Sequence, residues 1–257
     1  MVRFLAACAV ALACLSPASA QDKRVALVIG NATYAHGATI KTALNDAADI
    51  GAALGRMGFA VTRVNDATRA AMERALADFR VKANTADVAI VFYGGQAIQA
   101  DGVNWLIPVD GRFDTLAGTI GSAVSLDGVI DAMAGTGQFG IVLLDAARNN
   151  PFPAPKQSAP RQTVSKQNAP KAVLPAAGGA PKEILMAFAT GTGRTPVDTG
   201  ARNSAFTAAL LKYIETPQLE LGKLMSLVRD AVFRETGKKQ IPSTYATLTS
   251  DRYLMPR

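Results

Sequence analysis

The chain has 257 residues, 49% of them hydrophobic and 6% aromatic, with a formal charge of +7 and a pI of about 9.6. That length supports one sizeable α/β domain or two small ones. The basic balance alone establishes no partner, and without a zinc-knuckle spacing, an RNP-like aromatic motif or an Arg/Lys-packed helix no nucleic-acid partner is expected.

Residues 1–20 read as a signal peptide. Arg3 supplies the positive start, Phe4 to Leu15 the apolar run, and Ala18-Ser19-Ala20 a cleavage site before Gln21. Leu5-Ala6-Ala7-Cys8 has the form of a lipoprotein box, but it precedes most of the apolar run, which argues against lipidation. The run is too short to span a bilayer. The mature chain is therefore expected to be periplasmic or secreted from a bacterium, with no stable membrane insertion. Both cysteines, Cys8 and Cys14, fall in this segment. The mature chain is left without a disulfide, a thiolate nucleophile or a thiolate metal site.

From residue 21 onward, apolar β-branched runs alternate with helical stripes. Arg24 to Ile29 reads as a first strand closed by Gly30-Asn31. The spacing predicts a helix from about Asn45 to Met57 with Ala48, Ala52, Ala53 and Leu54 facing inward. Phe59 to Val64 reads as a second strand. Asp66 is the expected cap of a helix running to about Ala83, with Ala71, Ala75, Leu76 and Phe79 as its stripe. Asp87 to Tyr93 is a central strand, Asn104 to Pro108 a short strand piece, and Leu126 to Ala134 a short helix.

Ile141 to Leu144 is a buried strand whose carboxyl end opens into Asp145-Ala146-Ala147-Arg148, and in open α/β sheets ligands gather at such ends. Residues 151–182 change character. They hold Pro151, Pro153, Pro155, Pro160, Pro170, Pro175 and Pro181, no acidic residue, and five cations from Lys156 to Lys182, the composition of a flexible basic linker. Beyond it, Ile184 to Ala189 reads as a strand, Ser204 to Ile214 and Leu219 to Phe233 as helices, and Thr247 to Leu254 as a last strand. The predicted organisation is a signal peptide over 1–20, a larger part over 21–150, the linker over 151–182 and a smaller part over 183–257 that completes one fold.

Several stretches together resemble the bacterial caspase-like and metacaspase-like cysteine peptidases. VALVIGNATY followed by LNDAADIGAALGRMGF resembles their first strand and helix. DVAIVFYGGQA resembles the strand carrying the catalytic His, LLDAARNNPF the segment carrying the nucleophilic Cys, and ILMAFATGTG with NSAFTAALL the small-subunit half. The resemblance implies an α/β three-layer sandwich: a mostly parallel six-stranded sheet with helices on both faces.

The departures from the family pattern decide the chemistry. Where the family has Tyr-Ala-Gly-His-Gly, this chain has Tyr93-Gly94-Gly95-Gln96-Ala97, so Gln96 stands in the His place. Where the family has Asp-Ala-Cys-Arg, this chain has Asp145-Ala146-Ala147-Arg148, so Ala147 stands in the Cys place. A methyl group has no lone pair with which to attack a carbonyl, and a carboxamide does not shuttle protons near neutrality. Losing a triad nucleophile costs on the order of 10⁶ in turnover, and nucleophile and base act as one unit. No spacing supports a substitute pairing of His36 with Ser204 or Thr192. Gln96 is expected to satisfy backbone groups of a neighbouring loop.

The resemblance also implies that acidic residues of the Asn-Asp-Ala and Asp-Ala-Cys segments form a pocket for an Arg or Lys side chain. These carry over to Asp46 and Asp145. The residues alone leave a second possibility open, that Asp46 caps a helix and Asp145 a strand end. Tyr93 and Trp105 are expected in the core or the pocket wall. Asp110 and Asp114 are a thin basis for calcium, and no metal or cofactor is expected. The first expectation is thus an exported, inactive module that binds a basic peptide or protein. An active or rewired endopeptidase cleaving after basic residues is the second. A structural partner, such as a homodimer paired through a sheet edge, is the third.

Overall fold

The computed structural model describes residues 22–147, 150–152, 183–191 and 193–255. The expected signal peptide, nearly all of the expected linker, Arg148 and Thr192 lie outside these residues.

Six strands form the main sheet. They are β1 (Arg24–Gly30), β2 (Ala60–Asn65), β3 (Val88–Ala100), β6 (Phe139–Ala147), β7 (Ile184–Phe188) and β8 (Ser243–Ala246), ordered β2-β1-β3-β6-β7-β8. The first five run parallel and β8 pairs antiparallel with β7. Two short strands, β4 (Val103–Leu106) and β5 (Val124–Ser125), extend from β3 as an annex, making eight in all. The expected mostly parallel six-stranded sheet is therefore present, with two further strands: β4, which overlaps the short strand piece expected at Asn104 to Pro108, and β5, which was not expected.

The helices are α1 (Ala43–Arg56), α2 (Arg69–Ala83), α3 (Leu116–Ser122), α4 (Leu126–Asp131), α5 (Ala205–Tyr213) and α6 (Leu221–Glu235). Alternation along β3 decides which helix packs where. Ile90 and Phe92 join Val28 and Leu143 against Ile50 and Leu54 of α1, Phe206 and Leu210 of α5, and Leu224 and Val228 of α6. Val91 and Tyr93 point to the other face and join Leu27, Ile29 and Leu144 against Met72 and Phe79 of α2 and Val129 of α4. A strand stretch buried on both faces is largely apolar, which is why residues 88–93 of β3 and 139–144 of β6 read as apolar runs. Each large side chain so buried contributes about 1.5–3 kcal/mol of transfer free energy.

Several local expectations are corrected. The inward face of α1 is Ala43, Ala47, Ile50, Ala53 and Leu54, while Ala52 is exposed and Ala48 half-buried. Alanine occurs on every side of this helix, so the single Ile sets its rotation. Thr68, not Asp66, caps α2 through Ala71 N–H. Asp66 has a left-handed backbone at φ 44° and accepts from Ala32 and Thr33 N–H at 2.7 and 3.0 Å. The closing strand is Ser243–Ala246 rather than 247–254, a stretch that makes one isolated bridge, from Tyr253 to Glu220. Helix α3, with its Thr115 cap, was not foreseen. Nor was the length of β3, which runs beyond Tyr93 and turns into β4 over Asp101-Gly102 (φ 51° and 83°), the left-handed pair of a tight hairpin. No helix among the described residues is long and apolar enough to cross a membrane.

Candidate functional site

The carboxyl ends of β3 and β6 form the head of the site. Strand β6 does not stop at Leu144; it continues through Ala147 and keeps pairing with β3, so Tyr93 faces Leu144, Gly94 faces Asp145, Gly95 faces Ala146 and Gln96 faces Ala147. The two positions singled out in the sequence are thus register partners on adjacent strands.

The Gln96 backbone is held on both sides. Its N–H donates to the Tyr34 hydroxyl at 2.7 Å, and its carbonyl accepts from the Tyr93 hydroxyl at 2.7 Å and from Ile107 N–H at 3.0 Å. Burial pushes the Tyr34 hydroxyl up to about 12 and the Tyr93 hydroxyl well above the usual tyrosine range, so both remain neutral hydrogen-bonding groups. The Gln96 side chain donates through Nε2 to the Ala38 carbonyl at 2.5 Å. It satisfies a loop carbonyl, in keeping with the backbone role expected of it.

Beside this pair opens a cavity of about 260 Å³. Its wall is built by residues 39–43, Gly95, residues 145–147, residues 195–199 and Ser204, with Asp46 in the lining. Asp46 (1% exposed) and Asp145 (7% exposed) are both buried. Asp46 projects from the first turn of α1, where the helix dipole favours a carboxylate. Ser204, the cap of α5, bridges the two acids. Its N–H donates to Asp46 Oδ1 at 3.0 Å, its hydroxyl donates to Asp145 Oδ2, and its oxygen accepts from Thr207 N–H at 2.9 Å. Thr207 Oγ1 adds a second donor to Asp145 Oδ2 at 2.8 Å.

Two anions in one buried cavity cannot both ionise freely. Burial, then the charge of Asp145, pushes the Asp46 carboxyl up to about 7. Burial raises Asp145 as well, against the pull of the Ser204 and Thr207 hydroxyls. The other charged groups lining the cavity, Lys41 and Asp198, are solvent-exposed. Arg202 is engaged with Asp49 through two bonds of 2.9 Å. Neither acid caps its own element: α1 has Thr42 as its N-cap with no side-chain cap bond while Asp46 accepts from Ser204 N–H, and Asp145 ties β6 to α5.

The caspase domain family model matches residues 23–253, almost the whole of the described chain. The chain belongs to the caspase-domain family. The fold is the mostly parallel, helix-covered sheet that the resemblance implied. No curated protein matches the chain. The caspase-domain span contains no cysteine, and His36 is its one histidine.

His36 sits exposed at the tip of the loop after β1 and is not in the cavity wall, whereas Ser204 is. Tyr93 is fully buried in the core. Trp105 is half-buried against the small cluster of Tyr34, Ile98 and Ile107. Asp110 accepts from Arg69 N–H and Asp114 pairs with Arg112, so the two acids weighed for calcium serve separate local contacts. No group of three or more His, Cys, Asp or Glu among the described residues could hold a metal. Sequence reasoning passed over Thr207 and the 195–199 wall. Ser204-Ala205-Phe206-Thr207 does carry a signal, since a serine opening an apolar helix is a cap that places Thr207 one turn on, level with the strand ends.

Proposed function

We propose that this caspase-domain protein is an exported pseudopeptidase that captures Arg or Lys side chains in the acidic cavity and acts as a binding or regulatory module. The observation carrying this reading is the pairing of Gln96 with Ala147 at the head of a cavity that retains two buried carboxylates. Neither Gln96 nor Ala147 supplies a group to attack a carbonyl or to carry a proton. In the cavity, a guanidinium or ammonium group gains charge-assisted hydrogen bonds from Asp46 and Asp145. It also relieves their mutual repulsion, since a cation between them favours ionisation of both. Export rests on the signal-like residues 1–20.

A rewired hydrolase is less well supported. The Ser204 hydroxyl is committed to capping α5 and to Asp145, and the lone histidine is outside the cavity wall. An assembly role through the sheet edge draws on the place of β8 at one end of the strand order, and sedimentation analysis separates monomer from dimer. The capture reading is tested by calorimetry with short peptides carrying one central Arg, Lys or norleucine. Arg and Lys peptides are expected to bind and the norleucine peptide not to bind. Equal affinity for all three would refute a charge-reading pocket.

A further inference from the structure

The side chain of Gln96 takes hold of the loop that precedes α1. We propose that Gln96 is a latch. Its amide pins residues 37–38 to the strand end and so fixes one wall of the acidic cavity. The inference extends the capture reading for its binding consequence, while its structural core is independent of any ligand.

The loop from Asn31 to Thr42 is anchored at intervals. Ala35 N–H donates to the Val109 carbonyl at 2.8 Å, and Ile40 N–H donates to the Ala32 carbonyl at 2.9 Å. Residues 35–39 between those anchors are exposed, so burial does not hold them. The Gln96 Nε2–Ala38 bond, at 2.5 Å, falls in this gap. The tip is also seated directly on the amide. A Cβ built on Gly37 would lie 3.0 Å from Gln96 Nε2 and 2.9 Å from the Phe113 ring. Residue 37 therefore has room for glycine while the latch is closed.

The next residues, 39–42, are cavity wall. Because the Gln96 backbone is bound by Tyr34, Tyr93 and Ile107, the amide is a fixed post rather than a flexible arm. A carboxamide suits this task, being a donor at every pH at which the protein is folded.

The test is hydrogen exchange of the full chain, read on the peptide covering residues 35–41, in Gln96→Ala, in the isosteric Gln96→Glu and in Gly37→Ala. Gln96→Glu keeps the shape but turns a carboxylate toward a carbonyl. The latch predicts exchange about three- to tenfold faster in each variant, the range of one net hydrogen bond. Gly37→Ala also presses on the Phe113 ring, so the two Gln96 variants decide. Unchanged exchange in Gln96→Glu or in Gln96→Ala would overturn it. In parallel, an Arg peptide should dissociate faster from both Gln96 variants with its association rate nearly unchanged. If the unaltered protein binds no basic peptide while the exchange results hold, the capture reading fails and the latch stands.

Discussion

Gln96 of β3 and Ala147 of β6 are Cα register partners across a parallel strand pair, so side chains at the two positions leave the sheet on the same face. On the proposed reading, these adjacent positions are where the family's imidazole and thiol would stand. This makes a restoration experiment meaningful. Ala147→Cys combined with Gln96→His should yield detectable cleavage after Arg or Lys, while each single variant stays at background, because nucleophile and base fail together when either is absent. The measurement is release of a fluorogenic Arg-amide by the purified variants. An inert double variant would show that the surrounding backbone donors have also drifted.

Removing charge from the cavity should weaken capture. Asp145→Asn keeps an acceptor for the Ser204 and Thr207 hydroxyls and deletes the anion. It is expected to reduce affinity for an Arg peptide about tenfold or more, the scale of a charge-assisted hydrogen bond. Calorimetry on a variant shown to be folded by circular dichroism checks this. Affinity within twofold of the unaltered protein would count against the assignment.

Capture should also release a proton. With the Asp46 carboxyl pushed up to about 7 by burial and by Asp145, the empty cavity carries a proton near neutrality that an entering guanidinium displaces. Affinity should rise with pH between 6 and 8 and level off above, with a slope of up to about tenfold per unit on the acid side. Asp46→Asn should flatten the profile. Titration in two buffers of different ionisation enthalpy counts the protons directly.

The same group makes a stability prediction. A carboxyl whose folded pKa lies above its unfolded value of roughly 3.9 binds more protons in the folded state. Its favourable contribution is complete below pH 4 and is lost as pH rises toward 7. Asp46→Asn should therefore gain melting temperature relative to the unaltered protein at pH 8 and lose that advantage at pH 4. Glu183 behaves oppositely. Arg252 and Thr249 hold its carboxyl down at about 2, so its contribution is present above pH 4.5 and fades as pH falls toward 2. Glu183→Gln should narrow the acid-side stability of the protein, read as an earlier acid-unfolding midpoint.

Ser204→Ala separates structure from chemistry at the bridging residue. Loss of the α5 cap should destabilise the protein by about 1–2 kcal/mol, and Asp145 loses the Ser204 hydroxyl as a donor while Asp46 keeps the backbone N–H of residue 204. Denaturant unfolding measures the first effect. Weaker Arg-peptide binding by the folded variant measures the second.

Much of this molecule was legible beforehand because parallel strands buried on both faces write themselves as apolar runs. β1, the first half of β3 and the core of β6 could be read that way, and the motifs around them located Gln96 and Ala147. What escaped was decided by contacts distant in sequence. The rotation of α1 was hidden because Ala48 and Ala52 look as apolar as Ala47 and Ala53, and Ile50 alone breaks the tie. Strand β6 was expected to end at Leu144 because Asp145 is polar, yet Ser204 and Thr207, about 60 residues on, make a buried carboxylate tolerable there. The hold of Gln96 on Ala38 spans 58 positions, and no local pattern encodes it.

The most direct measurement is mass spectrometry of Arg- and Lys-containing peptides incubated with the purified protein at stoichiometric concentration, analysed for both binding and cleavage. The account predicts that the peptides are recovered in complex and intact. Fragments ending at Arg or Lys, produced in proportion to the protein and abolished by Ser204→Ala, would contradict it.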